Sequence, residues 1–496
     1  MTSPTTSKTT HRGWVTAAIL LSMFMTAIEI TIVATAMPRI VADLGGFALL
    51  SWVFSAYLLT QVVSIPIYGK LADLFGRRPV FTVGVILFLI ASILCGRATS
   101  MGQLIAFRFL QGIGGGAVQP IGATMIGDLY PPHERHKVQG YVGSVFAISS
   151  LVGPALGAAI VELGHWSWIF YLNIPLGIAA LVILSVFLHE VKQPRKHRLD
   201  VGGGILLVLA TSVLMIALLE GGTAWPWLSW QTGGCLIASA SLYFALYKVE
   251  SRVAEPILPL WIFKHPLIVI AGIATFLNGA LMIGYSAMIP THVQGVLGQS
   301  ALAGGLTLSA MSIGWPIASY FSGKMIARTG YKKAANFGAL LLFLGATAVV
   351  LLDHSSAIFI AMAVFFIGAG LGLQMNAYVI TIQSSVPWNE RGVATANNMF
   401  MRTLGSSVGV AAFGGVLNST ISAKLHGVEL NLSGERGIDS VNKLLNGGSN
   451  VPAAARAAIV DALSSGMGSV FVAAALISLV SLTVTFALPA KVEARG

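Results

Sequence analysis

Residues 44–69, 138–161, 163–189 and 462–490 contain no Asp, Glu, Lys or Arg, and the run 265–323 is charge-free over a length that would cross a lipid bilayer twice. A membrane-spanning helix needs about 20 mainly apolar residues. Runs of this length, repeated along one chain, point to lipid as the solvent. The composition agrees, because charged residues make up 9% and hydrophobic residues 55%, where a soluble domain carries about 25% charged residues.

The net charge of +11 does not indicate a nucleic-acid binder. Such proteins gather their bases on one patch with aromatics interleaved, whereas here the bases recur in short clusters between apolar runs. Cys95 and Cys235 lie in or beside apolar runs without metal-ligand spacing and read as packing residues.

Pro290-Thr291-His292 and Gly298-Gln299-Ser300 form a polar, turn-forming interval that splits the longest run. Spans are then expected near 14–36, 48–68, 79–95, 101–126, 138–161, 166–188, 201–219, 231–248, 267–289, 302–322, 333–352, 357–381, 392–418 and 467–488, fourteen in all. With an internal N-terminus, the cytoplasmic segments hold 21 basic residues and the external ones 6, with Arg108 and Arg402 inside spans. That bias sets both termini in the cytoplasm. The first span ends in Ala34-Thr35-Ala36, which mimics a signal-peptide cleavage site, but the span is too long for one and holds Glu29.

Two loops recur. Gly69-Lys70, five residues, then Gly76-Arg77-Arg78 returns as Gly323-Lys324, five residues, then Gly330-Tyr331-Lys332-Lys333, an offset of 254. Pro132-His133-Glu134-Arg135 is matched by Trp388-Asn389-Glu390-Arg391, an offset of 256. This is the signature of a parallel repeat about an axis along the membrane normal, with the substrate site between the halves near mid-membrane. The expected organisation is a tail at 1–13, a six-helix bundle at 14–188, a linker with two inserted helices at 189–266, a second bundle at 267–490 with an external loop at 419–466, and a tail at 491–496.

The segment Gly69-Lys70-Leu71-Ala72-Asp73-Leu74-Phe75-Gly76-Arg77-Arg78-Pro79 resembles the GxLaDrxGrrxxl loop of the major facilitator superfamily. Three further segments resemble its fourteen-helix drug:proton antiporter family. Ile28 to Pro38 matches the first-helix lDxTivnvAlP pattern, Arg108 to Gly116 the fourth-helix RxxqGxGgg pattern, and Gly153-Pro154-Ala155-Leu156-Gly157 the fifth-helix GPxxGG pattern. Glu29 stands where the family usually has Asp, and Ala158 replaces the last Gly. The resemblance implies an all-α integral membrane protein with the major facilitator fold, two six-helix bundles with two additional helices between them. It also implies export of small amphipathic or cationic compounds in exchange for protons by alternating access. Export of one metabolite, such as an antibiotic or siderophore, is the alternative.

Glu29 is the only one of the 18 Asp and Glu residues set deep in a span. At 1.5 Å per residue it lies about 10 Å inside the external end of its helix, a depth similar to that of Arg108. A lone intramembrane acid is a functional candidate by default. Burial disfavours its charge and Arg108 favours it, which suits a proton carrier, although a static ion pair that fixes helix packing fits the same residues. Glu29 could also pair with a cationic substrate in turn.

Asp73, Arg77, Arg78 and Asp128, with Gly69 and Gly76, resemble the family's gating cluster. Pro154, next to Gly153, lacks a backbone donor and bends or thins the helix, and Gly143 and Gly157 permit close helix contact; the resemblance makes this the antiporter helix. Arg402 aligns at offset 256 with Phe146 and could face the cavity with Asn397 and Asn398 or bond carbonyls. Tyr57, Gln61, Gln119, Asn278, Trp315, Gln374 and Asn376 are the further cavity candidates, and most could equally be interhelical hydrogen-bond glue.

No cofactor, metal or nucleotide is expected. The Gly-Lys pairs lack the Ser/Thr and leading Gly of a phosphate loop, Gly112 to Ala117 mimics a dinucleotide fingerprint without a strand before it, and the ten His are scattered. An enzyme would need several acids, bases or ligands at one depth, and only Glu29 is available. The expected partners are a small-molecule substrate, protons and the lipid of a bacterial inner membrane; accessory efflux proteins remain open.

Overall fold

The computed structural model describes residues 10–45, 50–163, 165–189, 200–221, 225–253, 256–353, 355–425 and 453–489. Fourteen long helices run through them: α1 Arg12–Leu44, α2 Leu50–Phe75, α3 Arg77–Gly96, α4 Met101–Leu129, α5 Pro132–Glu162, α6 Asn173–Phe187, α7 Val201–Glu220, α8 Trp230–Glu250, α9 Pro266–Gly295, α10 Ala301–Thr329, α11 Tyr331–Leu351, α12 Ala357–Ser385, α13 Arg391–Leu425 and α14 Ala453–Phe486. A helical turn, Trp168–Tyr171, precedes α6. Side-chain oxygens cap several starts: Ser100, Asp200, Ser229 and Ser300 each accept from the amide three residues on, satisfying donors that a first turn leaves orphaned.

Ten helices among the described residues are long and apolar enough to cross a membrane. The other four are α4, α5, α8 and α10, each of which trades apolar bulk for Gly, Ser or Thr. Small residues let helices approach closely, and that lowers the hydropathy on which a span count rests.

The first six helices pack together, with α1 against α5 and α6 and with α4 between α2 and α3. The last six repeat the pattern: α9 packs on α13 and α14, and α12 lies between α10 and α11. Across the two groups α5 packs on α10 and α2 on α13. The pair α7 and α8 joins through Thr211–Tyr243 and Ser239 to the Ala210 carbonyl, and Met215 of α7 covers the seam where Leu59, Val62 and Ile65 meet Ala396 and Phe400.

The sequence repeat is a structural repeat. Gly76 and Gly330, 254 positions apart, precede α3 and α11 with φ of 94° and 82°, a region open chiefly to glycine. Arg135 donates to the Gly127 carbonyl at 2.6 Å, and Arg391, 256 positions on, donates to the carbonyl of Gln383 at 3.0 Å. The α2–α3, α4–α5, α10–α11 and α12–α13 connections share one end of the molecule, the basic end.

One expected boundary moves. The loop at 419–466 is shorter, because α13 continues to Leu425 and α14 begins at Ala453. Ile421, Leu425, Ile459 and Leu463 are buried together, and Lys424 pairs with Asp461 at 2.9 Å on the outer face. The loop's remainder, 426–452, lies outside the described residues, as do 190–199 at the start of the linker, most of the N-terminal tail and all of the C-terminal tail.

Candidate functional site

Glu29 and Arg108 are 0% exposed and meet inside the first six-helix group, with Arg108 Nη1 donating to Glu29 Oε1 at 2.6 Å. The second carboxylate oxygen, Oε2, accepts from Asn173 Nδ2 of α6 at 2.7 Å. Arg108 also donates to Gln111 Oε1 at 2.7 Å and to the Val53 carbonyl at 3.1 Å, and its guanidinium lies over the Tyr57 ring. Gln111 passes the network to Ser92, which bonds the Phe88 carbonyl. Five helices thus hold one buried charge pair, and both carboxylate oxygens are satisfied, as burial of an ion pair demands. Asn173, Gln111 and Ser92 are the members that the span reading did not single out; Gln111 stood in the RxxqGxGgg segment without an assigned role, and Asn173 and Ser92 were visible only as polar residues in apolar helices.

At the basic end a second cluster joins the two halves. Arg77 pairs with Asp73 at 2.7 Å and with Asp128 at 3.1 Å, donates to the Trp388 carbonyl at 2.7 Å and lies over the Trp388 ring. Asp73 also accepts from the amides of Gly392 at 3.0 Å and Val393 at 2.7 Å. It therefore caps the first turn of α13, on the opposite half, where a helix N-terminus favours an anion. Arg391 reaches back to Asp128 at 3.1 Å, and Arg135 reaches Ser384, the residue 256 positions after Asp128. Gly69 lies where a Cβ would collide with Ala396, and a Cβ on Gly392 would press on Asp73. Arg78 turns to the end of α6 instead, donating to the Leu188 carbonyl at 2.8 Å and the Ser185 carbonyl at 3.0 Å.

Between the halves lies a small cavity of about 70 Å³. Of the expected cavity residues, Gln119, Trp315, Asn376 and Arg402 line it, and Arg402 Nη2 donates to Gln119 Oε1 across the halves at 3.2 Å. Tyr57 and Gln61 belong instead to the surroundings of Arg108. Asn278 and Gln374 bond each other at 3.2 Å inside the second group, tied to Ser481 and Tyr378. They act as glue between α9, α12 and α14. Polar residues in a span fit either role by type, and only the side of the helix decides.

Gly153 and Gly157 let α5 lie against α1, where a Cβ would strike Thr31 and Thr35 respectively. Gly143 faces Trp315 and Pro316 of α10. The side chain of Pro154, the remaining antiporter-helix residue, lies outside the described residues. Glu29 does not line the cavity, so in this conformation it is out of reach of a cationic substrate held there.

Residues 19–410 match the model of the Major Facilitator Superfamily. Over 499 aligned residues, 99% of this chain and 98% of the relative, the sequence is 36% identical to Multidrug resistance protein 3 of Bacillus subtilis (strain 168). The Multidrug transporter protein MdtP of the same organism is 36% identical over 83% of this chain and 76% of its own length. Among solved structures, the human organic anion transporter MFSD10 superposes with a TM-score of 0.64 at 14% identity, covering 96% of this chain and 99% of that one. Its likeness, at so low an identity, speaks for the fold. The family consists of transporters rather than enzymes, and the chain, a multi-pass membrane protein by its apolar helices, belongs to the Major Facilitator Superfamily.

Proposed function

We propose that this protein is a multidrug efflux transporter that exports small amphipathic compounds in exchange for protons by alternating access. All fourteen helices cross the bilayer in this reading, with both termini in the cytoplasm of a bacterial cell and the basic end facing inward. Residues 14–188 and 267–490 form the two bundles. The observation that carries it is the central cavity between two repeated halves, joined at the basic end by Asp73, Arg77, Asp128 and Arg391. Breaking those pairs and forming others at the opposite end would expose the cavity to each side in turn. The names of the two Bacillus relatives support drugs as the cargo.

Glu29 is the proposed coupling acid and Arg108 its partner. A Glu29→Gln variant in proteoliposomes is expected to lose efflux driven by a proton gradient while keeping downhill movement of the drug. Gradient-driven efflux at the native rate would remove Glu29 from the mechanism. Export of one metabolite is the second reading, favoured by the Arg402–Gln119 bond, because an oriented charge selects more narrowly than an apolar wall.

A further inference from the structure

The interior cations differ in how they are held. Arg108 has Glu29, Arg77 has Asp73 and Asp128, and Arg391 has Asp128. Arg135 is held by the carbonyls of Gly127 and Tyr130 with Ser384. Arg402 has one neutral amide, that of Gln119 at 3.2 Å, and among the described residues no carboxylate pairs with it. No Asp or Glu lines the cavity it enters. A guanidinium presents five donors in a planar fork that suits an oxyanion, and a charge inside a membrane protein is costly unless it is compensated.

We propose, building on the transport reading above, that Arg402 is the anchor of a binding site for organic anions, amphipathic compounds that present a carboxylate or a similar oxyanion to its guanidinium and an apolar body to the cavity. The wall around the guanidinium supplies the apolar surface. Trp315 and Phe146 stand on α10 and α5, and Met23, Met375 and Met399 add flexible, polarisable side chains that adapt to bodies of different shape. The same charge disfavours a cationic cargo, which would enter with no acid to meet it.

Position adds a consequence. Gln119 belongs to α4 in the first half and Arg402 to α13 in the second, so their hydrogen bond spans the plane along which the halves must part. An anion that takes the guanidinium in a bidentate grip competes with Gln119 for the same donors. Cargo binding thereby loosens one tie between the halves and biases the change of access by its differential affinity for the two states.

The test uses the purified full chain in phosphatidylcholine nanodiscs, whose headgroups carry no net charge, and three probes with one body: 2-naphthoate, 2-naphthamide and 2-naphthylmethylammonium. Calorimetric titration is expected to show naphthoate binding at least tenfold more tightly than the ammonium. Arg402→Gln should weaken naphthoate tenfold or more and leave naphthamide within threefold, and Arg402→Lys should restore part of the loss. Gln119→Leu, which frees the guanidinium, should tighten naphthoate. Equal or tighter binding of the ammonium by the native protein, or an unchanged naphthoate affinity in Arg402→Gln, overturns the proposal, and the native probe series decides even if a variant fails to fold. Failure of the transport reading would look different: none of the three probes would move with a proton gradient, while the binding preference persisted.

Discussion

Glu29 and Arg402 are two intramembrane charges held in different ways. Glu29 is closed off by Arg108 and Asn173 inside the first half, whereas Arg402 faces the cavity with a neutral partner. If Glu29 carries the proton and Arg402 the cargo, as proposed, the two have separate places, and coupling between them would run through the helices between the sites rather than through direct competition. Another buried carboxylate lies outside this scheme. Glu250, at the end of α8 beyond the expected span 231–248, is 3% exposed and faces the Asp200 side of Gly203. Burial pushes its carboxyl up to about 7, with the Asp200 charge acting in the same direction and the amides of Leu258 and Ile257 and the charge of Lys70 opposing it. A raised carboxyl binds its proton more tightly folded than unfolded, so its contribution falls as pH rises from the ordinary value of 4.5 through about 7. Glu250→Gln keeps the acceptor for Leu258 and removes the charge. It should raise Tm relative to the native chain at pH 8 and make little difference at pH 5, as read by thermal unfolding in detergent; an equal shift at both would show that the buried charge of Glu250 is not what limits stability at high pH.

At the scale of helices, glycine decides how near two axes come. A Cβ on Gly112 would run into the Tyr57 carbonyl and Thr60, and Tyr57 is the ring beneath Arg108. Nothing stands within 4 Å of a Cβ on Gly234 in α8. Overpacking costs about 1–3 kcal/mol, so Gly112→Ala should lower Tm clearly while Gly234→Ala leaves it within a degree or two. Similar Tm values for the two would show that the α2–α4 contact yields without strain. The helices themselves were legible, because charge-free runs of span length have few other uses. Their ends were not. Ile421, Leu425, Ile459 and Leu463 lie at helical spacing but are diluted by Ser, Thr, Lys and Asp, so that a hydropathy window closes α13 early and opens α14 late. The site was legible where one charge had one plausible mate, as with Glu29 and Arg108. It was illegible where neutral polar residues were concerned: Asn278 and Gln374 face their own bundle and Gln119 and Asn376 face the cavity, a difference set by rotation about the helix axis that composition does not record. Arg402 had two open readings for the same reason.

Across the whole molecule, the ties between halves gather at the basic end and at mid-depth: Asp73 on the start of α13, Arg391 on Asp128, Gln383 on the Ala123 carbonyl at 3.1 Å, and α5 on α10. If the cavity is to open at this end, those surfaces must separate. The α5–α10 contact provides a direct handle, because a Cβ built on Gly140 lies 3.5 Å from the Cβ of Tyr320. A disulfide needs Cβ atoms about 3.5–4.5 Å apart, so Gly140→Cys with Tyr320→Cys should cross-link on mild oxidation with little backbone movement. Cys95 is buried and does not compete; Cys235, half-buried, is replaced by Ala as a precaution. In proteoliposomes the oxidised double variant is expected to lose gradient-driven efflux and to recover most of it with a reductant, while either single variant transports in both conditions. The locked protein should still bind cargo from the opposite side, since the cross-link leaves the cavity walls in place. Oxidised protein that is fully cross-linked by mass spectrometry and yet transports at the reduced rate would mean that α5 and α10 move together, and the opening of the basic end would then have to run through the α2–α13 seam alone.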